Sequence, residues 1–278
     1  MRGSPQETID YYLNLAEGWT DPYGPPIEEM HQGVRVVADH RIVGTKCRGG
    51  DLLALKSESD TLVYIQPRTG LAGVSLAEVC RRHDKKLVLF MPSSKRISEH
   101  QAAAIEQGAE ARFIRIASTR NLQQYAKKWS EERGHTFIPL GLKSKWVVAG
   151  LVKTMLSMKA PDEFWSAVST SILNRSMQIA WPEARARGVA VARNLAAGER
   201  GRMEIISAPE PFTTPARGVE IPFDIIPTYD LKAWREVPKH NNEDILFWNV
   251  GGQVTAKDEA IYDEVHSQRE WGDMGDLE

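Results

Sequence analysis

Cysteine is scarce in this sequence, and long hydrophobic runs are absent. The two cysteines, Cys47 and Cys80, are too few for a disulfide framework, which is typical of a protein of the reducing cytosol. The chain has no run of about 18 apolar residues, and its first ten residues lack the apolar core of a signal peptide. These absences predict a cytoplasmic protein without a membrane partner, located in a host cytoplasm if it is viral.

An excess of charge of one sign is also missing, because 35 Lys and Arg residues stand against 37 Asp and Glu residues. This balance excludes a strongly basic nucleic-acid-binding protein, although a local basic patch is compatible with it. The seven histidines are scattered and form no spaced set with cysteine, so we expect no metal site. No Walker loop, Gly-x-Ser-x-Gly elbow or Rossmann fingerprint occurs in the chain.

What the sequence does contain is an alternation of short apolar segments with longer amphipathic ones. Residues 61–66, 86–91 and 111–116 have the apolar, β-branched character of buried parallel strands, and predicted helices separate them. The second half of the chain repeats this order, beginning with a strand at residues 163–168. The alternation predicts an α/β fold with parallel sheets and right-handed crossovers.

The first candidate motif is Gly44-Thr45-Lys46-Cys47-Arg48, between a predicted strand at residues 33–39 and a predicted helix at residues 51–57. The end of a parallel strand is where α/β enzymes carry functional residues. A lysine shielded from water there loses its proton more readily and can attack a carbonyl to form an imine. The alternative interpretation is a surface lysine in a basic turn.

The second candidate motif is the hydroxyl cluster Ser169-Thr170-Ser171, which follows the strand at residues 163–168 and precedes a predicted helix. Free amides at a helix N-terminus, together with hydroxyls, bind a phosphate dianion. A cluster of this kind is also typical of an ordinary helix N-cap. Both interpretations remain open from the residues alone.

Three further segments complete the set. The small-residue loop Gln66-Pro67-Arg68-Thr69-Gly70-Leu71 follows the strand at residues 61–66. Near the C-terminus, Tyr229-Asp230-Leu231-Lys232 opens a predicted helix, and the last predicted strand ends in Asn249-Val250-Gly251-Gly252. In this order, the motifs from about Val34 to Gly252 resemble the pyridoxal-phosphate enzymes of the tryptophan-synthase-β class, fold type II. The closest group is 1-aminocyclopropane-1-carboxylate deaminase and D-cysteine desulfhydrase.

The resemblance implies a role for each motif. Lys46 takes the position of the lysine that forms the Schiff base with pyridoxal 5'-phosphate, and Ser169, Thr170 and Ser171 take that of the phosphate loop. In the deaminases, the acid at the position of Asp230 faces the pyridine nitrogen, and the tyrosine at that of Tyr229 faces the substrate. A carboxylate there keeps the nitrogen protonated, which makes the ring a strong electron sink. The resemblance therefore implies that Lys46 and Tyr229 are catalytic and that Asp230 binds the cofactor.

The substrate side of the resemblance carries the largest departures. Thr69, Gly70 and Leu71 stand where the family receives the substrate carboxylate, and the family's asparagine is absent. Asn249, a further candidate substrate-binding residue, replaces a histidine. In the lysine motif Thr45 replaces an asparagine and Gly49 a second lysine, and the phosphate loop lacks the family's glycines. These departures bear on the class of substrate.

The resemblance also implies the architecture, which is two parallel-sheet subdomains of the tryptophan-synthase-β type with the cofactor cleft between them. We assign residues 1–40 and 150–256 to a larger cofactor-binding subdomain and residues 41–149 to a smaller one. Residues 257–278 form an acidic tail that is poor in apolar residues. Homodimers are usual for the family, and we expect one here.

The implied function is that of a lyase that breaks a bond at or next to the α-carbon of an amino-acid-like small molecule through a Lys46 aldimine. Deamination, desulfhydration and decarboxylation share this machinery. An alternative is a phage-type DNA-hypermodification enzyme that decarboxylates an amino acid attached to thymine, so that its partner is a modified base in DNA. That alternative predicts a wide, basic-rimmed cleft in place of a closed pocket. A second alternative is a catalytically degenerate relative that only binds.

Overall fold

The computed structural model describes residues 3–94, 96–115, 118–192, 195, 197–239 and 243–256. The chain divides into two compact units, the first comprising residues 1–53 and 143–253 and the second residues 54–142 with the described residues after 253. Each unit has its own sheet with parallel strands and its own helices. The predicted α/β class with two parallel-sheet bodies is therefore confirmed. The predicted acidic tail, residues 257–278, lies outside the described residues.

The two units divide the chain after Leu53 and after Leu142; the predicted subdomain assignment, with bounds after residues 40 and 149, stays a prediction. The physical reason for the observed division is a close approach of two helices. A Cβ atom at Gly49 would overlap the carbonyl oxygen of Val147, and one at Gly150 would lie 3.0 Å from the Cα atom of Gly49. Only glycine allows this approach, which keeps the Lys46 segment in the first unit.

The first unit contains a six-stranded sheet with the order β1-β2-β10-β7-β8-β9. All neighbouring strands are parallel except β1 and β2, which form an antiparallel hairpin. The strands are β1 (Glu28–His31), β2 (Val34–Ala38), β7 (Glu163–Val168), β8 (Arg185–Ala190), β9 (Glu204–Ser207) and β10 (Ile245–Asn249). Strand β1 was not predicted from the sequence, because this short edge strand is polar and half-exposed and has no apolar alternation.

The helices of the first unit are α1 (Pro5–Leu15), α2 (Lys46–Lys56), α6 (Lys145–Leu156), α7 (Ile172–Ala180), α8 (Ala197–Arg200) and α9 (Asp230–Glu236), with a 3-10 turn at Asp39–Arg41. The chain passes to the second unit near the end of α2. The prediction that this helix begins at residue 51 was wrong, because it begins at Lys46. Glycines at positions 49 and 50 disfavour a helix interior, but the packing of Gly49 against α6 outweighs that cost. Gly44, in the left-handed region at φ 80°, turns the chain into the helix.

The second unit contains a four-stranded parallel sheet with the order β5-β4-β3-β6. Its strands are β3 (Thr61–Ile65), β4 (Lys86–Pro92), β5 (Glu110–Ile114) and β6 (Thr136–Phe137), and its helices are α3 (Ala72–Arg82), α4 (Glu99–Glu106) and α5 (Thr119–Glu131). Strand β3 is buried along its whole length, as expected for a central parallel strand. None of the helices in the described residues is long and apolar enough to cross a membrane.

The core of the first unit joins its sheet to α9. Its members are apolar residues of β2, β7, β8, β10 and α9, among them Val36, Trp165, Val189, Leu231, Trp234 and Phe247. The second unit has a separate core between its sheet and α5, with Val63, Ile65, Val88, Phe90, Leu122 and Ala126. Each sheet is thus held by apolar burial against its own helices.

Parallel pairing brings several candidate segments to one edge of the first sheet. Strand β10 lies between β2 and β7 and is parallel to both, with Asn249 opposite Ala38 and Phe247 opposite Trp165. The carboxyl ends of these three strands therefore lie at the same edge, where neighbouring strands are about 4.8 Å apart. The loops that follow them carry Lys46, Ser169 to Ser171 and Val250 to Gly252.

Candidate active site

Lys46 is the first residue of α2 and is half-buried. Among the described residues, its ammonium group has no hydrogen bond and no ion pair. Burial lowers the pKa of Lys46 to about 8, so a substantial fraction of its amine is neutral near physiological pH. This is the protonation state that a nucleophilic amine requires.

A buried ionic cluster lies under the turn that carries Lys46. Arg48 Nε and Nη2 donate to Asp39 Oδ1 at 3.1 and 2.9 Å, and Arg48 Nη1 donates to Asp21 Oδ2 at 2.7 Å. Burial opposes the charge of Arg48, but the two carboxylates outweigh it and the pKa of Arg48 is raised. Arg48 Nη1 also donates to the Gly24 carbonyl at 2.7 Å. The buried charge of Arg48 is therefore compensated by two carboxylates and a carbonyl.

Thr45 connects this cluster to the end of β10. Its hydroxyl donates to Asp39 Oδ2 at 2.7 Å and accepts from Trp248 Nε1 at 2.8 Å. Its backbone N–H donates to the carbonyl of Val250 at 2.8 Å. The residue before Lys46 is therefore held from three directions at the carboxyl edge of the sheet.

Asp230 is the first residue of α9 and is fully buried. Neither of its carboxylate oxygens has a hydrogen-bond partner among the described residues. Burial raises the pKa of Asp230 well above its ordinary value, and the nearby backbone N–H of Val250 acts in the opposite direction. A buried carboxyl group without a partner is costly. Val250, whose backbone N–H acts on the pKa of Asp230, also accepts the backbone hydrogen bond of Thr45.

Tyr229 precedes Asp230 and is half-buried, with its ring edge-on to Phe212 at 6.3 Å between centroids. Burial, with a smaller effect of Asp230, raises the pKa of the Tyr229 hydroxyl, which therefore keeps its proton near neutral pH. Lys232, on the same helix, is buried and donates through Nζ to the carbonyl of Pro211 at 2.8 Å. That contact fixes the irregular segment before Tyr229 against α9.

The hydroxyl cluster forms the connection between β7 and α7. Ser171 occupies the N-cap position of α7 in the left-handed region, at φ 63°, a conformation that favours glycine. Its hydroxyl donates to the carbonyl of Glu199 at 2.6 Å and does not cap the helix. In the part of the chain that the structure describes, the first amides of α7 have no side-chain cap, in contrast to α1, α4, α5 and α6, which serine side chains cap. The N-cap interpretation of Ser171 is therefore wrong.

A cavity of about 290 Å³ opens beside this connection. Thr170 and Ser171 line it together with Lys145 and Arg175, at the N-termini of α6 and α7. Glu199 also lines it and pairs with Lys143 at 2.9 Å, so Lys145 and Arg175 leave an excess of positive charge beside the hydroxyls, which favours an anionic ligand.

Asn249 ends β10 and is fully buried. Its Nδ2 donates to the carbonyl of Asp224 at 2.9 Å and lies 3.1 Å from His40 Nδ1. Its Oδ1 has no partner in the described residues. The structure thus leaves a second buried acceptor, next in sequence to Val250, without a hydrogen bond.

Thr69, Gly70 and Leu71 lie in the second unit, after β3, and are half-buried. The buried side chain of Gln66 organises this loop, because its Nε2 donates to the Gly70 carbonyl at 3.0 Å and its Oε1 accepts from the Gly73 amide at 2.9 Å. The three residues precede α3 at the carboxyl edge of the second sheet.

The first unit therefore gathers Lys46, the hydroxyl cluster, Asp230 and Asn249 around one sheet edge. Sequence reasoning missed Asp39 and Trp248 as members of this site, and it named Arg48 in the lysine motif without assigning it a role. Asp39 follows a buried parallel strand, a position typical of functional residues, and could have been found on that ground. Trp248 lies within a continuous apolar strand, ILFWN, and nothing in the pattern separates it from core residues.

No protein-family model matches the chain, and no curated protein sequence matches it. Solved structures do match. A crystal structure of an ACC deaminase homologue has a TM-score of 0.70 at 16% identity, covering 92% of this chain and 98% of that chain. Threonine deaminase isoform 2 from Solanum lycopersicum, in its processed form, has a TM-score of 0.66 at 13% identity, covering 95% and 89%.

Maize serine racemase has a TM-score of 0.63 at 13% identity, covering 94% of this chain and 96% of that chain. At these identities the likeness concerns the fold, which extends over nearly the whole length of these structures. The fold of the tryptophan-synthase-β class, predicted from the sequence, is confirmed.

Proposed function

We propose that this protein is a pyridoxal-phosphate-dependent lyase acting on an amino-acid-like substrate, of the deaminase, desulfhydrase or decarboxylase type. The observation that carries the proposal is Asp230, a buried carboxyl group whose two oxygens have no partner among the described residues. Such a group needs a cation to balance its desolvation. A protonated pyridine nitrogen is a cation of the right size and shape for an enclosed carboxylate.

The other residues at this sheet edge fit the same group. Lys46 would hold the cofactor through its Nζ, since its amine is partly neutral and has no competing carboxylate in the described part of the chain. Thr170, Ser171 and the uncapped amides of α7 would bind the phosphate, with Lys145 and Arg175 on the rim of the adjoining cavity. Ser169 completes that loop.

The bound cofactor would supply an electron sink for the pair of electrons left when a bond at the α-carbon breaks. Lys46 would then carry protons at Nζ, which a pKa of about 8 suits near neutral pH. Tyr229, which keeps its proton because burial raises its pKa, would donate a hydrogen bond to the substrate. Asp230 would hold the charge of the ring through its carboxylate.

We propose Thr69, Gly70 and Leu71 in the second unit, and Asn249 in the first, as the substrate-binding residues that the family resemblance implies. Asn249 Oδ1, which has no partner in the described part of the chain, is an acceptor suited to an ammonium or amide N–H of a substrate. The loop at Thr69 to Leu71 precedes α3, in whose first turn Gln66 Oε1 accepts from the Gly73 amide while the N-cap residue, Leu71, provides no side-chain cap. Backbone amides there suit a carboxylate.

Reduction of the purified protein with borohydride tests this proposal. We expect an absorbance band at the blue edge of the visible, lost on reduction, and a phosphopyridoxyl group on the peptide that contains Lys46. Lys46→Ala should lose both, whereas Lys56→Ala, at the other end of α2, is the matched control and should keep them. A phosphopyridoxyl group on another lysine, or none at any stage, would refute the assignment. Assays of 2-oxo acid, ammonia, sulfide and carbon dioxide then identify the reaction type.

A second candidate is the DNA-modifying activity, which a basic edge of the second unit favours. Four exposed arginines lie in or next to the loops after β3, β4 and β5, which are neighbouring strands: Arg68, Arg96, Arg115 and Arg120. Arg68 Nη1 donates to Ser94 Oγ and to the carbonyl of Arg96, both at 2.7 Å, so it reaches across to the next loop. The segments 66–71, 93–98 and 115–121 contain no Asp or Glu.

This edge also carries Thr69 to Leu71, the proposed substrate loop. An arginine rim of this kind suits a phosphate backbone, and a free amino acid does not require one. We propose that a substrate amine attached to DNA would approach along this edge.

Binding of a DNA oligonucleotide, measured by fluorescence anisotropy at two salt concentrations, tests this candidate. We expect Arg68→Ala with Arg120→Ala to weaken binding and to reduce the salt slope by about 0.7–0.9 per arginine removed. Arg81→Ala, an exposed arginine at the end of α3, is the control. Equal DNA binding by the wild type, the Arg68→Ala and Arg120→Ala double variant and Arg81→Ala would exclude this role for the arginine rim.

A further inference from the structure

We propose that Thr45 is a positioning residue that sets the place of Lys46 relative to Asp230. The inference rests on the proposed function, because it assumes that Lys46 and Asp230 hold opposite sides of the same group. Its basis is the set of contacts that Thr45 makes, none of which the sequence motif indicated. Thr45 is buried, and it immediately precedes Lys46.

Val250 connects the surroundings of the two functional residues. The backbone carbonyl of Val250 accepts from the Thr45 N–H at 2.8 Å and lies 3.4 Å from the Thr45 hydroxyl. The backbone N–H of the same residue acts on the pKa of Asp230 without meeting the geometry of a hydrogen bond to it. One residue, Val250, thus connects the residue before Lys46 to the surroundings of the carboxyl group proposed to face the cofactor.

Two buried partners fix the orientation of the Thr45 hydroxyl. It donates its single proton to Asp39 Oδ2 and accepts from Trp248 Nε1. Asp39 is itself fixed by two donors of Arg48. Both partners are buried and belong to elements on either side of Thr45, so the hydroxyl has one orientation and the turn has one place.

The Thr45 hydroxyl positions the turn but is not needed to compensate a buried charge. Without the hydroxyl, Trp248 Nε1 still donates to Asp39 Oδ2 at 3.0 Å, and Arg48 still pairs with Asp39 and Asp21. No buried charge loses its counter-ion. The turn, however, loses its side-chain tie to Asp39 and Trp248, and Lys46 gains freedom to move toward water.

The charged groups around this turn belong to several elements. Asp39 is in the 3-10 turn, Asp21 in the loop after α1, and Arg48 and Asp51 on α2, with Asp51 accepting from Trp19 Nε1 at 2.8 Å. Asp230 lies at the start of α9. Replacing Thr45 alters none of these charges, so a change at Lys46 would report its position.

The test compares Thr45→Val, which keeps the side-chain shape but removes the hydroxyl, with Thr45→Ser, which keeps the hydroxyl. The first measurement is the pH dependence of amine labelling of Lys46 in the full-length protein without cofactor, followed by mass spectrometry. The second is visible circular dichroism and cofactor affinity after addition of pyridoxal phosphate. Thermal unfolding monitors the fold throughout.

We expect the labelling midpoint of Lys46 in Thr45→Val to rise from about 8 by roughly one unit, because a more hydrated ammonium keeps its proton. The cofactor dissociation constant should rise about tenfold and the visible dichroism should fall, while Thr45→Ser restores all three. Equal midpoints and dichroism in the two variants would overturn the inference, whatever their unfolding temperatures. Lys46→Met separates the two proposals, since unchanged cofactor trapping in that variant would refute the function itself.

Discussion

The lowered pKa of Lys46 leads to a prediction that requires no cofactor. Its value of about 8 against an ordinary 10.5 gives a neutral fraction near pH 7 that is about 300-fold larger than that of an unburied lysine. Burial is the physical cause, because the ammonium has no counter-ion among the described residues. We therefore expect Lys46 to react with an amine-directed reagent at neutral pH, with a midpoint near pH 8.

The assay is competitive labelling of the cofactor-free protein between pH 6 and pH 11, with each lysine peptide followed by mass spectrometry. Lys127, exposed on α5, is the internal reference for the reactivity of the reagent. Lys46→Met identifies the Lys46 peptide unambiguously. A labelling midpoint for Lys46 close to 10.5 would refute the argument that burial at this sheet edge activates its amine.

The same shift has a consequence for stability. The folded state holds Lys46 with the lower pKa, so between pH 8 and 10.5 the unfolded chain binds more protons than the folded one. Stability from this group therefore rises with pH across that window, by up to about 3 kcal/mol at about 1.36 kcal/mol per unit. Urea unfolding at both ends of the window should show this gain in the wild type and lose it in Lys46→Met.

Two further predictions concern single buried positions. Asp230→Asn should stabilise the cofactor-free protein near pH 7 by about 1–3 kcal/mol. The reason is that burial raises the pKa of Asp230, so that the stability of the wild type falls as pH rises above 3.8. Urea unfolding at several pH values checks this, with the exposed Asp60→Asn as the control, and a destabilised Asp230→Asn would contradict it. Gly49→Ala should destabilise the fold by about 1–3 kcal/mol, because its Cβ atom would overlap the Val147 carbonyl. Thermal unfolding measures the effect. Gly198→Ala, whose Cβ atom would meet nothing within 4 Å, is the control and should not be destabilised.

The order and type of most elements could be predicted from the sequence, because each buried parallel strand is a short, continuous apolar run. Strand β7 was predicted with its observed bounds, Glu163–Val168, and the fold class followed from the alternation. The candidate residues Lys46, Ser169 to Ser171 and Asp230 were found because they stand at strand ends or helix starts. Their roles remain predictions.

What only the tertiary structure decided are the contacts between residues far apart in the chain. Asp39 and Trp248 are 209 positions apart, yet both bind the Thr45 hydroxyl. Gly49 is unfavourable in a helix by propensity. A glycine is nevertheless required there, because a Cβ atom would overlap the Val147 carbonyl oxygen. Ser171 looked like a helix cap, but its hydroxyl donates to Glu199 and leaves the amides of α7 uncapped. Local sequence sets propensity, whereas packing decides which atoms meet. The carboxyl group of Asp230, which has no hydrogen-bond partner among the described residues, is costly only because the surrounding chain excludes water from it.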